Sequence, residues 1–388
     1  MTKSTRISTP DAELSKSTAD IRARNVWSIF RALFPHNCLS RAELGRRIGV
    51  SRMAIGEITK EMCDTRILTT TGLDARPGRG KRSTMLAIDT SYWRLIGIDL
   101  SQPYVLVGAL LDLVGNVSER TEIVHDDSYD SRASDIIALA RRLQKQSTSP
   151  ILGVVITVPG IVDASGTVLL SIRLGWKNLP LQTIVQDALQ LPVLAGNTIN
   201  ATLAAEHSNR AFTDNSMLVK IGMGVGAGLY INGEIVRGDS FAAGEIGHIT
   251  VQTSQANGSE CGCGKTGCLE TFVSDKSIRA RLAAAPERRT EILSEAGQIL
   301  GQTLAMTVGL LDLRNIYIDG QPDLVGNTFL DALQQVLDHA LTSEYRRVPE
   351  VCRCQQLPDR PLKGQTLLAL PTLLPTVRTH FQVLSNSQ

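Results

Sequence analysis

Apolar residues recur at helical spacing from Ile21, with Val26, Ile29, Phe30 and Leu33 on one face and Pro35 ending the run. Ser40-Arg41-Ala42-Glu43 then forms a capping box, opening a short helix that carries Leu44 and Ile48 inward. Gly49-Val50 makes a tight turn, and Ser51 caps a third helix through about Asp64. On that helix Ile55, Ile58 and Met62 share an inward face. Ser51, Arg52, Met53, Gly56, Glu57 and Lys60 lie where a helix set in a DNA groove meets bases or phosphates. Residues 69–71 and 83–88 read as two strands, joined by a turn rich in Arg, Gly and Pro that carries Arg79, Lys81 and Arg82. Helix, turn, helix and a basic hairpin in this order predict a winged helix-turn-helix. Residues 1–20, rich in Ser, Thr and charge, are expected to be a disordered tail.

From Arg94 the texture becomes α/β. Residues 95–100 read as a buried strand, followed by a turn and a second strand over 105–113. The same unit returns at 218–222 and 227–232, so two related halves are expected to face one another across a cleft. Between them, residues 151–158 form an apolar strand ending at Pro159-Gly160, and residues 191–200 run from a strand into a helix start.

Charge separates these regions. Residues 1–90 hold 16 Lys and Arg against 9 Asp and Glu, whereas the remainder holds 24 against 29. A basic N-terminal part on an acidic body points to a polyanion partner for the first part alone. With 388 residues, 43% of them hydrophobic, the chain can bury a large core. It has no bilayer-length apolar run and no signal peptide, so no membrane partner and a cytoplasmic location are expected.

The most specific chemistry lies in Gly244-Glu245-Ile246-Gly247-His248 and Cys261-Gly262-Cys263-Gly264-Lys265-Thr266-Gly267-Cys268-Leu269-Glu270. One imidazole and three thiols in a polar, Gly-turned loop suit a tetrahedral zinc ion held by His248, Cys261, Cys263 and Cys268. Four protein ligands leave no open position for water, so the zinc is expected to be structural. Of the seven cysteines, the four others read as core (Cys38, Cys63) or free thiols (Cys352, Cys354). A metal that fixes this loop would also fix the distance between Glu245 and Glu270, as a small polyhydroxylated ligand requires.

This run resembles the signature of the ROK family of repressors, open reading frames and sugar kinases, and the likeness extends over about residues 21–380. The resemblance implies an α/β fold: a winged helix-turn-helix over 21–90, then a duplicated ribonuclease-H-like body of the actin and hexokinase type. Lobe 1 would span 91–195, completed by 368–388, and lobe 2 would span 196–367. It also implies a sugar site made of Gly160, Asn197, Glu245, His248 and Glu270, with His248 giving one ring nitrogen to zinc and the other to the ligand. For Asn197 a helix N-cap is an equally simple reading.

Phosphoryl transfer needs a phosphate cradle, a metal and a carboxylate base. In family kinases the first cradle follows an Asp with Gly-Gly-Thr; here Asp99-Leu100-Ser101-Gln102-Pro103 has lost those glycines. The second cradle carries Met223 in place of a hydroxyl residue, and a Gly-Gly pair has become Asp319-Gly320. Where kinases have Asn-Asp, this chain has Asn197-Thr198, and threonine cannot serve as a base near neutral pH. The expectation is a regulator without kinase activity, a sugar-responsive repressor of carbohydrate genes. It would bind a (pseudo)palindromic double-stranded operator as a homodimer or homotetramer, with a sugar or sugar phosphate as effector. The competing reading is a sugar kinase with an added DNA-binding head.

Overall fold

A computed structural model describes residues 18–73, 83–124, 132–209, 215–251, 259–344, 347–355, 357 and 359–376. These residues group into two compact units. One holds the residues up to Tyr92 together with 370–376, and the other is Trp93–Ala369.

The first unit, the head, contains helix α1 (Thr18–Leu33), strand β1 (Leu39–Ser40), helices α2 (Arg41–Ile48) and α3 (Arg52–Asp64), and strands β2 (Leu68–Leu73) and β3 (Thr84–Ile88). Its elements start where their caps dictate. The Ser40 hydroxyl accepts from the Glu43 amide at 3.3 Å while the Glu43 carboxylate accepts from the Ser40 amide at 2.9 Å, a closed capping box on α2. Gly49 ends α2 at φ 71°, and the Ser51 hydroxyl caps α3 by accepting from the Ala54 amide. Ile29, Phe30, Leu33, Leu44, Ile55, Met62, Leu68 and Leu86 are buried, and β1, β3 and β2 form an antiparallel sheet in that order. Cys38 departs from the sequence reading: it is exposed, one residue before the strand Leu39–Ser40.

The second unit repeats one topology twice. Its first sheet uses β4 (Arg94–Asp99), β5 (Val105–Leu111), β6 (Val117–Val124), then after helix α4 (Ala133–Gln146) β7 (Ile151–Val158). A small antiparallel sheet follows, β8 (Ile161–Val162), β9 (Val168–Ser171) and β10 (Trp176–Leu179), then helix α5 (Leu181–Leu189) and strand β11 (Val193–Asn197). Helix α6 (Thr198–Asn209) starts at the residue after β11. The second sheet uses β12 (Ser216–Ile221), β13 (Val225–Ile231) and β14 (Glu234–Val236). After helices α7 (Glu270–Val273), α8 (Asp275–Ala284) and α9 (Arg289–Leu311) come β15 (Asn315–Asp319), α10 (Asn327–Leu341), β16 (Glu350–Arg353) and α11 (Arg360–Leu373).

Read from one edge, the first sheet runs β6-β5-β4-β7-β11 and the second β14-β13-β12-β15-β16. In both, the first three strands are antiparallel and the last two join in parallel. The strand pairs seen as an echo in the sequence are therefore β4–β5 and β12–β13, the centre of each sheet. Parallel pairing buries both faces, which is why β4, β7 and β15 read as unbroken apolar runs. The edge strand β6 alternates instead, because one of its faces meets water. Parallel strands also align their carboxyl ends, so residues 99–101, 157–160 and 197–198 meet along one rim, where open α/β sheets bind ligands.

Ser40→Ala should remove the hydroxyl arm of the capping box, keep the arm made by the Ser40 amide, and cost the head about 1 kcal/mol. Calorimetry on the intact protein should show a lower melting temperature for the transition that contains the head, with the body's transition unchanged.

A candidate metal centre and its carboxylates

Two backbone contacts build the first half of the site. A Cβ on Gly244 (φ 93°) would lie 1.9 Å from the Ala227 carbonyl oxygen, so only glycine lets this loop lie on β13. The Gly244 carbonyl accepts from the Ala227 amide at 2.7 Å, fixing Glu245 and the 3-10 turn Ile246–His248 over the strand. The second half is a glycine-turned loop. The Cys261 amide donates to the Lys265 carbonyl at 2.8 Å, and Gly264 and Gly267 take φ of 85° and 75°. Bridges Thr250–Cys268 and Glu260–Thr266 close it, and the Leu269 amide donates to the Ile249 carbonyl.

The two halves bring the predicted donors together. One ligand atom from each of His248, Cys261, Cys263 and Cys268 lies within 4.8 Å of every other. Cys261 Sγ is 3.4 Å from His248 Nδ1, and Cys263 Sγ is 3.7 Å from Cys268 Sγ. Atoms so spaced at the corners of one small polyhedron are a donor set that can hold a metal ion. Lys265, which the sequence reading passed over, donates to the His248 carbonyl at 2.6 Å and so ties the two halves together. Its place inside the cysteine run was the available signal. Burial pushes the Cys261 and Cys268 thiols up, whereas the Lys265 amide pulls Cys263 down.

Both carboxylates stand at this cluster. Glu270 opens α7, and its Oε1 accepts from the Cys261 thiol at 2.8 Å and lies 3.7 Å from His248 Nδ1. Burial raises the Glu245 pKa; His248 opposes that shift and Glu270 adds to it. Glu245 and Glu270 are thus close enough to feel one another.

Gly160 and Asn197 meet on the first sheet. Asn197 Nδ2 donates to the Gly160 carbonyl at 2.7 Å, and its Oδ1 accepts from the Ile199 and Asn200 amides at 2.8 and 3.0 Å. Asn197 therefore caps α6 and braces Gly160 at once, leaving one amide hydrogen for a ligand. Thr198 is 2% exposed, and its hydroxyl finds no hydrogen-bond partner among the described residues. Asp99 is buried and held by three hydrogen bonds: Oδ1 accepts from the Ser101 amide at 2.9 Å and the Thr157 hydroxyl at 2.5 Å, and Oδ2 from the Ser101 hydroxyl at 2.7 Å.

In the head, Ser51, Arg52, Met53, Glu57 and Lys60 are exposed on α3, with Met53 76% exposed. Lys60 pairs with Asp64 at 2.9 Å. Arg79, Lys81 and Arg82 lie outside the described residues.

Residues 95–371 match the family model described as the ROK family. The chain belongs to the ROK family. Among its ROK relatives, the xylose repressor of Caldicellulosiruptor bescii is 27% identical over 348 residues, covering 80% of this chain and 86% of that one. A ROK family transcriptional regulator, a homologue of the Escherichia coli Mlc protein, superposes with a TM-score of 0.79 at 22% identity, covering 92% of this chain and 98% of its own. The ROK glucokinase of Streptomyces griseus, solved with glucose and AMPPNP, gives 0.60 at 23% identity, with 98% of that chain covering 71% of this one. The body accordingly has the two-lobed hexokinase-type ROK fold.

Replacing Cys261 or Cys268 with Ser should abolish metal content in elemental analysis and lower the melting temperature of the body, as should a chelator on the wild type. Metal retained at wild-type stoichiometry in both variants would refute the ligand assignment. Because burial raises the folded-state pKa of Glu245 above its unfolded value, its contribution to stability is full below the unfolded pKa and is lost as pH rises through the folded one. Glu245→Gln should therefore gain stability relative to wild type between about pH 4 and neutrality.

Proposed function

We propose that this chain is a sugar-responsive transcriptional repressor of carbohydrate genes that has lost kinase chemistry, and that it works in the cytoplasm. The single observation behind this reading is a mismatch between the groups kept for a ligand and the group needed for phosphoryl transfer. Glu245, Glu270 and His248 stand at a metal-capable cluster and Asn197 keeps its place beside Gly160, whereas the position of the catalytic base is a buried threonine. Such a site can hold a polyhydroxylated ring but cannot take a proton from it. The repressor relatives and the basic head support the same reading.

Zinc is the metal that suits three thiols and an imidazole. With arms of about 2.3 Å to sulfur, tetrahedral sulfurs sit about 3.8 Å apart, close to the 3.7 Å between Cys263 and Cys268. It would be held by four protein ligands and supply structure rather than Lewis acidity. A thiolate at Cys261 has no proton to give, so Glu270 Oε1 would lose that donor and turn to the hydroxyls of a sugar. Glu245, His248 Nε2, the last amide hydrogen of Asn197 and the Gly160 backbone complete the proposed contacts. A wrong stereoisomer would leave one of these groups unpaired, which is the basis of selectivity.

The head is proposed to bind operator DNA as a winged helix, with α3 in the major groove and the 74–82 turn as the wing. Ser51, Arg52, Met53, Glu57 and Lys60 would line the groove face, and Arg79, Lys81 and Arg82 would reach phosphate or the minor groove. Two heads reading a palindrome require a homodimer or homotetramer. Sugar binding changes operator affinity, and DNA must change sugar affinity by the same factor.

The kinase reading would need Asp99 to act as base or metal ligand, and there it would compete with the three hydrogen bonds that Asp99 accepts from Ser101 and Thr157.

A thermal-shift screen of sugars, sugar phosphates and ATP tests both readings. A sugar at about 100 times its Kd should add roughly 2.7 kcal/mol, and that shift should vanish in Glu270→Gln. A shift with ATP and turnover of a hexose would restore the kinase. Arg52→Ala should weaken specific DNA binding by about 1–3 kcal/mol if Arg52 reads a base edge. An equal loss on random duplex would reduce it to a phosphate contact.

A further inference from the structure

Glycine weakens the interior of a helix relative to alanine, because its backbone loses the most freedom on ordering. Helices α2 and α3 of the head each carry one, Gly45 and Gly56, and only the first has a use inside the protein. A Cβ on Gly45 would come within 3.2 Å of the Val50 carbonyl oxygen, so the turn between the two helices needs the missing side chain. Gly56 lies in the middle of α3 with ordinary helical backbone. No atom of the described residues comes within 4 Å of the place its Cβ would take. Alanine would fit there and strengthen α3.

Gly56 opens on the outer face of the helix. Ile55, Ile58, Thr59 and Met62 are buried, so Met53, Gly56, Glu57 and Lys60 fall on the opposite side. Met53 precedes Gly56 by one turn and is its neighbour on that face. It is 76% exposed, more than Leu73 at 59% or Ile21 at 40%, the other exposed large apolar residues of the head. A lone exposed methionine carries no message, since single apolar residues are ordinary on surfaces. This one stands beside a gap in the helix surface that no described residue fills.

Charge identifies the kind of partner that could fill it. Residues 1–90 carry 16 Lys and Arg against 9 Asp and Glu. Arg41, Arg46, Arg47 and Arg52 are all exposed on the two helices, whereas the Glu43 carboxylate is engaged in the cap of α2 and Asp64 is paired with Lys60. Glu57 keeps phosphate away from the centre of α3 but can accept from the amino group of a cytosine. Cations at the flanks with an apolar group between them suit duplex DNA, which carries phosphates outside and base edges within. In the major groove thymine alone among the bases presents a methyl group.

We propose that α3 approaches the duplex by its bare backbone at Gly56, and that Met53 reads one thymine of each half-site through its C5-methyl group. This rests on the reading of the head as a winged helix that binds DNA, and adds what that helix selects. The thioether has no N–H or O–H to donate to purine N7 or O6. Its contact with a methyl group removes apolar surface of both partners from water, and its unbranched chain adapts to the fit. Gly56 is a positioning residue: a methyl group there would hold the backbone off the base edges and lift Met53 out of reach of its thymine.

The probe is a library of random duplexes, from which the full-length wild type selects its preferred sequence at fixed salt. Each thymine of that sequence is then replaced by deoxyuridine, which removes the methyl group and leaves the hydrogen-bonding groups in place. One replacement per half-site should weaken wild-type binding by about fourfold, the effect of roughly one buried methyl group. Met53→Ala should bind the thymine duplex about fourfold more weakly than wild type does, and should not distinguish it from the deoxyuridine duplex. Gly56→Ala should bind the selected duplex about tenfold more weakly. It should also raise the melting temperature of the transition that contains the head, a combination that a structural role for Gly56 cannot give. A wild type indifferent to every deoxyuridine would overturn the proposal. So would equal losses in wild type and Met53→Ala, which would leave Met53 to another occupant. Gly56→Ala binding as tightly as wild type would overturn the close approach. If the wild type enriches no sequence, the DNA-binding reading itself falls and the proposal with it, a result distinct from the others.

Discussion

Three thiols and an imidazole hold together a segment with almost no apolar core of its own. The loop from Ser259 to Gly267 contains no large aliphatic or aromatic side chain, and its backbone turns twice through left-handed glycines. Such a segment loses more conformational entropy on ordering than its few contacts return. His248, Cys261, Cys263 and Cys268 converge here as a donor set that can hold a metal ion, and Glu270 and Glu245 stand beside it. Glu245 hangs from a glycine pressed on β13 and Glu270 opens the helix that follows the last cysteine, so every element of the candidate sugar site on the second lobe is referenced to the same four atoms.

The first lobe contributes shape rather than charge. Its rim residues are already occupied with one another: Asp99 with Ser101 and Thr157, and Asn197 with Gly160 and the first amides of α6. A buried carboxylate held by two hydroxyls and a backbone amide serves as a structural post. The unpartnered hydroxyl of Thr198 fits this division, because that position asks for bulk and not for ionisation. A ROK body arranged in this way is suited to binding equilibria, and a regulator needs nothing more from its ligand than a difference in affinity between two states.

Each sheet ends its parallel strands at the cleft rim, and α6 and α11 run between the sheets with their backbones in contact. A buried ion pair joins Arg360, the first residue of α11, to Asp319 at the end of β15. Packed interfaces of this kind tend to switch between discrete arrangements instead of deforming smoothly.

Much of this was legible in the sequence because the interactions concerned are local. The capping box at Ser40 and Glu43, the left-handed stop at Gly49, the cap at Ser51 and the inward stripe Ile55, Ile58, Met62 all arise within four to seven residues. So does the spacing of the three cysteines, and the doubled strand pairs revealed the repeated sheet. The two roles of Asn197 could not be told apart from its spacing, and in the structure its carboxamide divides between the cap and Gly160. Cys38 looked like core by its neighbours but faces outward. The contact of Gly364 with Ala201 and the pairing of Arg360 with Asp319 have no local signature at all. They depend on where two distant backbones pass in space. Sequence periodicity fixes which face of an element is apolar, and only the packing of the whole chain decides which other element that face meets.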